Sequence, residues 1–216
     1  SAEYSVLIAI QYIQIGETMV EELNVLTLDV ETTHKTKRSG GTTALPYFDN
    51  RLVSVGYKWL GEEEVGYDFV FHSDPRAFVN DGWFENIQDE LNSTDVLVGQ
   101  NIKFDLTWLR ACGFHYDGHI YDTMVAEYIL AKARRWSISL DSLAKRYGVT
   151  QKEKDLVAPY LKDGKTFYDI PYEIVQEYGI ADVLATEEVA VKQLEAFGTT
   201  FGELFNDIST DTKAFA

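Results

Sequence analysis

The residues with the clearest chemical potential are Asp29 and Glu31, two carboxylates separated by one position in a largely apolar stretch. The stretch alternates as a half-buried β-strand does, so that Leu26, Leu28 and Val30 would point to one face and both carboxylates to the other. Because a strand rises about 3.3 Å per residue, the two carboxylates would lie about 7 Å apart. Two anions on one strand face repel each other, and a divalent cation between them relieves that repulsion. We therefore interpret the pair as half of a metal site.

Two further pairs of polar residues resemble the first. Asn101 and Asp105 are four positions apart at a predicted strand-to-helix junction, and Tyr178 and Asp182 are four apart on one face of a long predicted helix. Each pair also has an ordinary interpretation, because Asn101 and Asp105 suit the start of any helix and the other two suit a helix surface. The occurrence of all three pairs, on a strand, a junction and a helix, favours a shared site.

The elements that would position these residues follow from apolar periodicity and turn signals. Residues 34–50 are predicted to form a long polar loop and residues 150–169 an irregular connector. The sequence predicts an α/β fold, a mixed central β-sheet flanked by helices. Predicted strands cover about 4–15, 24–31, 52–60, 64–72 and 95–98, and predicted helices about 75–92, 102–112, 122–133, 139–147 and 171–197.

Composition limits the class of protein. The 216 residues are 45 % hydrophobic, enough for one large domain with a sizeable core. The single cysteine, Cys112, excludes an internal disulfide framework and suits a reducing compartment. The apolar stretch at residues 6–15 is too short for a membrane span and has no basic region before it, so we predict a cytoplasmic protein without a membrane partner.

The formal net charge of −16 argues against tight, free-standing binding of nucleic acid, because neutralisation of phosphates normally supplies that affinity. The objection weakens if part of the acidity binds metal and if another domain delivers the substrate.

The three pairs lie in motifs that, together, resemble those of the DEDD 3′–5′ exonucleases of the tyrosine subtype, and most closely the proofreading domain of family A DNA polymerases. The resemblance extends over about residues 24–197 and implies a ribonuclease H-like fold. Its motifs are Leu28-Asp29-Val30-Glu31-Thr32-Thr33, Val98-Gly99-Gln100-Asn101-Ile102-Lys103-Phe104-Asp105 and Tyr178-Gly179-Ile180-Ala181-Asp182, with matching stretches at 121–130 and 139–147.

The resemblance implies roles for five residues. Asp29, Glu31 and Asp182 would bind a first metal ion, Asp29 would bridge to a second, and Asp105 would hold the second ion through water. Tyr178 would position the attacking water. The implied chemistry is two-metal phosphodiester hydrolysis that releases nucleoside 5′-monophosphates. Ligands that offer only oxygen favour Mg²⁺ or Mn²⁺ over zinc.

The predicted substrate contacts come partly from the resemblance and partly from charge. An ordinary solvated helix end is the alternative for the two arginines among them. The 34–50 loop follows the first motif and is longer than in bacterial relatives; either its basic residues contact DNA or it is disordered. Asp122 is sufficiently explained as a helix cap. The predicted substrate-binding residues are Thr32, Gln100, Asn101, Lys103, Arg134 and Arg135.

We therefore predict a single exonuclease domain over residues 1–216, in which the tail at 198–216 leads towards a polymerase domain. It would proofread single-stranded DNA 3′ ends with two Mg²⁺ or Mn²⁺ ions, beside a DNA polymerase domain of the same or a separate chain, in a bacterial or phage-infected cell. A close alternative is an RNase D-like exoribonuclease. An alternative of another class is an inactive domain that only scaffolds a polymerase.

Overall fold

The structure is a computed structural model that describes residues 23–37, 41–78, 82–132, 134–150 and 154–205. The predicted strand at 4–15 lies outside the described residues.

A mixed five-stranded sheet with β1 at its centre organises the described residues. The strands lie in the order β5-β4-β1-β6-β7, with β1 antiparallel to β4 and parallel to β6. Two short strands, β2 and β3, form a separate antiparallel pair. The strands are β1 (Val25–Thr32), β2 (Lys35–Lys37), β3 (Gly41–Thr43), β4 (Leu52–Trp59), β5 (Gly66–Phe69), β6 (Val96–Gly99) and β7 (His119–Asp122).

Helices pack on both faces of the sheet, which confirms the predicted fold class. The longest, α6, begins directly after Pro171 and ends at Gly198, whose left-handed backbone (φ 71°) closes its last turn. A further helical turn covers residues 201–205. The helices are α1 (Trp83–Asn92), α2 (Lys103–Ala111), α3 (Thr123–Leu130), α4 (Leu140–Tyr147), α5 (Lys154–Lys162) and α6 (Tyr172–Phe197).

One face of β1 forms the main hydrophobic core. Leu26 and Leu28, at most 1 % exposed, pack together with Val30 against Ile87 of α1 and Leu106 of α2. Burial of each leucine contributes about 1.5–3 kcal/mol, so this face fixes the side of β1 that turns inward. The alternation predicted from the sequence is confirmed.

The opposite face of β1 packs beneath α6, which also contacts β4 and β6. Val25 lies in a second cluster with Ala190 and Leu194 of α6. The strand is therefore covered on both sides, and its odd-numbered residues after Val25 face the long helix.

The predicted helix at 75–92 is wrong as a continuous element. Asp74 caps a short 3₁₀ turn, Pro75–Ala77, by accepting a hydrogen bond from the backbone N–H of Arg76, and α1 begins only after Gly82. Phe78, which follows the turn, is no longer helical (φ −89°, ψ 88°), so the two elements do not form one helix.

The predicted irregular connector at 150–169 is also wrong, because it contains α5. Pro159 lies inside this helix, where it lacks a backbone donor. Val157 of the same helix is buried against Ile170 and Val175. Tertiary packing of the apolar face outweighs the unfavourable proline.

Several smaller elements were missed. The 34–50 segment is not a plain loop, since it holds β2, β3 and a 3₁₀ turn, Pro46–Phe48, and is anchored by the Trp108 indole, which donates to the Ala44 carbonyl at 2.8 Å. Strand β7 leads straight into α3, so that Asp122 ends one element and caps the next. A four-residue strand with no intervening turn gives almost no sequence signal.

None of the helices in the described ranges combines the length and apolar character required to cross a membrane.

Candidate functional site

Three carboxylates meet in the space between β1 and α6. One oxygen from each of Asp29, Glu31 and Asp182 lies within 4.8 Å of the others. Glu31 and Asp182 are buried, with 8 % and 3 % exposure, whereas Asp29 is partly exposed and leaves the group open to solvent. Residues from distant parts of the sequence thus form one acidic cluster.

Strand β1 supplies two of the three carboxylates through its pleat. Asp29 pairs with Gly56 of β4 and Glu31 pairs with Ser54, so both lie on the α6 side. The register shifts after Glu31, between it and Thr32. This irregularity ends the regular pairing next to the acidic cluster, as bulges often do beside functional sites.

Helix α6 supplies Asp182 and, one turn earlier, Tyr178. Burial, followed by the charges of Asp182, Glu31 and Asp29, raises the pKa of Tyr178 far above its ordinary value, and a hydrogen bond to Asp182 acts in the same direction. The phenol therefore stays protonated at physiological pH. In the metal-free site it can donate a hydrogen bond.

Asp105 adjoins the cluster from the first turn of α2. Its Oδ1 accepts a hydrogen bond from the backbone N–H of Val30 at 3.2 Å, which fixes the carboxylate beside β1. Burial, followed by the charge of Asp29, raises the pKa of Asp105 well above its ordinary value. All four acidic residues singled out in the sequence are thus placed around the end of β1.

The raised pKa of Asp105 predicts how the stability of the metal-free protein depends on pH. The folded state retains a proton that the unfolded chain releases near pH 3.8, so the contribution is fully present below that value and is lost as pH rises through the folded pKa. We expect the free energy of unfolding, measured with urea and a chelator from pH 4 to 8, to fall with pH more steeply in the parent than in Asp105→Asn. Identical pH profiles for the two proteins would contradict the prediction.

The predicted substrate residues near α2 differ in their exposure and in their hydrogen bonds to other parts of the protein. The carboxamide of Gln100 donates to the Ile138 carbonyl at 2.9 Å and accepts from the Thr123 hydroxyl, so it holds three chain segments together. Asn101 is exposed with φ 59°, and its backbone N–H donates to Asp122 Oδ1 at 3.0 Å. Lys103 is exposed. Contact of these residues with substrate stays a prediction.

The remaining predicted contacts are Thr32 on β1 and two arginines that follow α3. Thr32, at the end of β1, is 6 % exposed. Arg134 and Arg135 are exposed, and the Arg134 guanidinium lies 5.3 Å from the ring centre of Trp136. The cap proposed for Asp122 is confirmed, because its carboxylate accepts from the Met124 N–H at 2.9 Å.

Sequence reasoning missed Tyr67 of β5, which lies half-buried beside the cluster. The charges of Glu31, Asp29 and Asp182 add to the effect of burial in raising the pKa of Tyr67 well above its ordinary value. The only available signal was glycine inside a strand and a helix, at Gly56 and Gly179, which indicates close approach of another group.

The donor set fits a hard divalent cation. The cluster offers carboxylate oxygens, which Mg²⁺ and Mn²⁺ prefer and which sulfur- or nitrogen-seeking metals do not. Several anions in partly buried surroundings strongly oppose one another unless a positive charge joins them.

Comparison with known families gives a match over most of the chain. A family model described as 3′–5′ exonuclease matches residues 14–195.

Two curated relatives are both called DNA polymerase I. The protein from Synechocystis sp. is 32 % identical over 148 residues, and that from Borreliella burgdorferi is 23 % identical over 142 residues. Each match covers 65 % of this chain but only 14 % and 15 % of the relatives, respectively. The chain therefore spans a small part of the length of these polymerases.

Solved structures with the same fold are nucleases. Brucella melitensis NrnC bound to pGG superposes with a TM-score of 0.55 at 15 % identity, covering 93 % of this chain and 88 % of that one. Escherichia coli RNase D, an exoribonuclease involved in structured RNA processing, gives 0.54 at 14 % identity, covering 91 % and 43 %. The ribonuclease H-like fold implied by the sequence motifs is confirmed.

Proposed function

Because the chain belongs to the 3′–5′ exonuclease family, we propose that it removes nucleoside 5′-monophosphates from the 3′ end of single-stranded DNA and so proofreads for a DNA polymerase. The observation that carries the proposal is the convergence of Asp29, Glu31 and Asp182 within 4.8 Å, with Asp105 beside them.

The proposed reaction is hydrolysis of the last phosphodiester. A water oxygen forms a bond to phosphorus, the bond from phosphorus to the upstream 3′ oxygen breaks, and the water proton is transferred so that a 3′-hydroxyl remains. Two bound divalent cations would supply Lewis-acid chemistry for the water and for the departing oxygen.

The side chains divide the remaining work. Asp29, Glu31 and Asp182 would bind one cation, and Asp29 and Asp105 would hold a second. The hydrogen bond from the Val30 backbone holds the Asp105 carboxylate beside β1. The protonated hydroxyl of Tyr178, adjacent to Asp182, would hold the attacking water in line with the phosphate.

The choice of DNA and of a polymerase partner rests on the relatives and on charge. Both relatives named above are DNA polymerases, and the chain corresponds to a small part of each. The net charge of −16 disfavours strong capture of a polyanion by this chain alone. Delivery of a frayed 3′ end by a polymerase domain would compensate for the weak affinity.

The fold likeness to RNase D keeps RNA as the second candidate substrate. The test is degradation of 5′-labelled single-stranded DNA and RNA of equal sequence with Mg²⁺ or Mn²⁺. We expect faster stepwise shortening of DNA from the 3′ end and release of 5′-monophosphates. Faster digestion of RNA would contradict the proofreading proposal and would favour RNA trimming as the function.

Two controls accompany this test: the chelator tests metal dependence, and the Asp29→Ala variant, purified in the same way, separates the activity of this chain from that of a contaminating nuclease. A chelator and the Asp29→Ala variant should each abolish shortening. If the parent protein leaves both substrates intact with either cation, the chain is an inactive scaffold and the enzymatic proposal fails.

A further inference from the structure

Tyr67 occupies the space between the sheet and α6 next to the acidic cluster. It projects from β5, an edge strand of the five-stranded sheet, towards the helix that carries Tyr178 and Asp182.

The register places Tyr67 in one row with a metal-binding candidate. Asp29 of β1 pairs with Gly56 of β4, and Gly56 pairs with Tyr67 of β5. Gly56 has no side chain, so the Tyr67 ring can lie across β4 towards Asp29. A Cβ atom at Gly56 would lie 3.1 Å from the Tyr67 ring and 3.0 Å from Val183.

A second glycine touches the other side of the ring. A Cβ atom at Gly179 would lie 2.5 Å from both Cε2 and the hydroxyl oxygen of Tyr67. Real Cβ contacts essentially never occur at such a distance, so an alanine there would force the helix or the ring to move. The ring of Tyr67 is thus held between Gly56 of the sheet and Gly179 of the helix, and its thickness sets their separation.

The hydroxyl of Tyr67 connects the same two elements. It lies 2.8 Å from the hydroxyl oxygen of Ser54 and donates to the Val175 carbonyl at 3.2 Å. Ser54 is the cross-strand partner of Glu31, and Val175 lies two helical turns before Asp182. One side chain therefore links the neighbours of both halves of the acidic cluster.

We propose that Tyr67 is a positioning residue that sets the distance between the carboxylates of β1 and Asp182 of α6, and thereby the affinity of the cluster for divalent cations. Only the activity measurements depend on the proposed function. The affinity for divalent cations tests the inference directly.

The expected effects follow from geometry. Tyr67→Phe keeps the ring but removes both hydroxyl contacts, so Mn²⁺ should bind about tenfold more weakly, with kcat reduced and the KM for DNA unchanged. Gly179→Ala should lower kcat about 100-fold, the effect expected for a displacement of about 1 Å. Helix weakening would not explain this loss, because alanine favours a helix over glycine.

A compensating pair makes the test specific. Tyr67→Leu removes the ring atoms that an alanine Cβ at position 179 would strike, so the double variant Tyr67→Leu/Gly179→Ala should be less impaired than the product of the single effects. The matched control is Tyr57→Phe, which removes a tyrosine hydroxyl bonded to Asp68 at 3.1 Å on the other face of the sheet. It should leave Mn²⁺ binding unchanged.

The experiment is titration of the full chain and each variant with Mn²⁺ by calorimetry, beside kcat, KM and thermal unfolding. Weaker Mn²⁺ binding by Tyr67→Phe but not by Tyr57→Phe, with rescue in the double variant, supports the inference. Equal Mn²⁺ affinity in the two tyrosine variants, or independent effects of the substitutions at 67 and 179, overturns it. A parent that binds Mn²⁺ but cleaves no DNA would contradict the proposed function and leave this comparison intact.

Discussion

Asp182→Asn should reduce exonuclease activity by at least about a thousandfold while leaving the fold intact. Asn keeps the shape of the side chain but removes the negative charge that completes the cluster with Asp29 and Glu31. Loss of one of several mutually repelling carboxylates relieves strain, so the metal-free variant should unfold at the same temperature as the parent or higher. The activity is measured as release of 5′-monophosphate from a single-stranded oligonucleotide.

Stabilisation by cation distinguishes this interpretation from a general loss of structure. Saturating Mn²⁺ at about 100 times its dissociation constant should stabilise the parent by about 2.7 kcal/mol. Asp182→Asn should show little of that gain. The control Asp163→Asn changes the same charge at an exposed position and should retain both activity and stabilisation. Parental activity of Asp182→Asn would contradict the prediction, because it would mean that α6 contributes no essential carboxylate to the site.

Glu127→Ala should destabilise the protein by about 2–6 kcal/mol, because two donors packed against this buried carboxylate lose their acceptor and each costs about 1–3 kcal/mol when left unsatisfied. Glu127 is 1 % exposed and accepts hydrogen bonds from Arg146, from the Tyr147 hydroxyl at 2.7 Å and from the Gln193 amide at 3.1 Å. Its loss leaves those donors without their acceptor between α3, α4 and α6. Urea unfolding at neutral pH measures the change.

The matched control for this carboxylate is Glu195→Ala. Glu195 pairs with Lys192 at 2.9 Å, but both side chains are largely solvated, at 58 % and 43 % exposure. Such a pair contributes about 0–1 kcal/mol, so its loss should be small. Equal destabilisation by the two substitutions would contradict a special role for the buried network.

The acidic site could be predicted from the sequence because its signals are local. Alternation with period two placed Asp29 and Glu31 on one face of β1, and four-residue spacing placed Tyr178 and Asp182 on one face of α6. That these segments meet was implied by the motifs together, and the structure brings three of the carboxylates within 4.8 Å.

What could not be predicted depends on contacts between distant segments. Helix α5 forms despite Pro159 because Val157 is buried against Val175 of α6 and against Ile170, which directly precedes that helix. The position of Tyr67 between two glycines follows only from strand register. The hydrogen bond from the Gln100 amide to the Ile138 carbonyl likewise joins segments far apart in sequence, and no local pattern indicates it.

The most direct test is the position of Mn²⁺ in crystals of this chain, located by its anomalous scattering. The account predicts a peak coordinated by Asp29, Glu31 and Asp182, with a second ion near Asp29 and Asp105 when a DNA 3′ end is bound. Crystals that hold Mn²⁺ elsewhere at saturating concentration, with this cluster bare, would contradict the central claim.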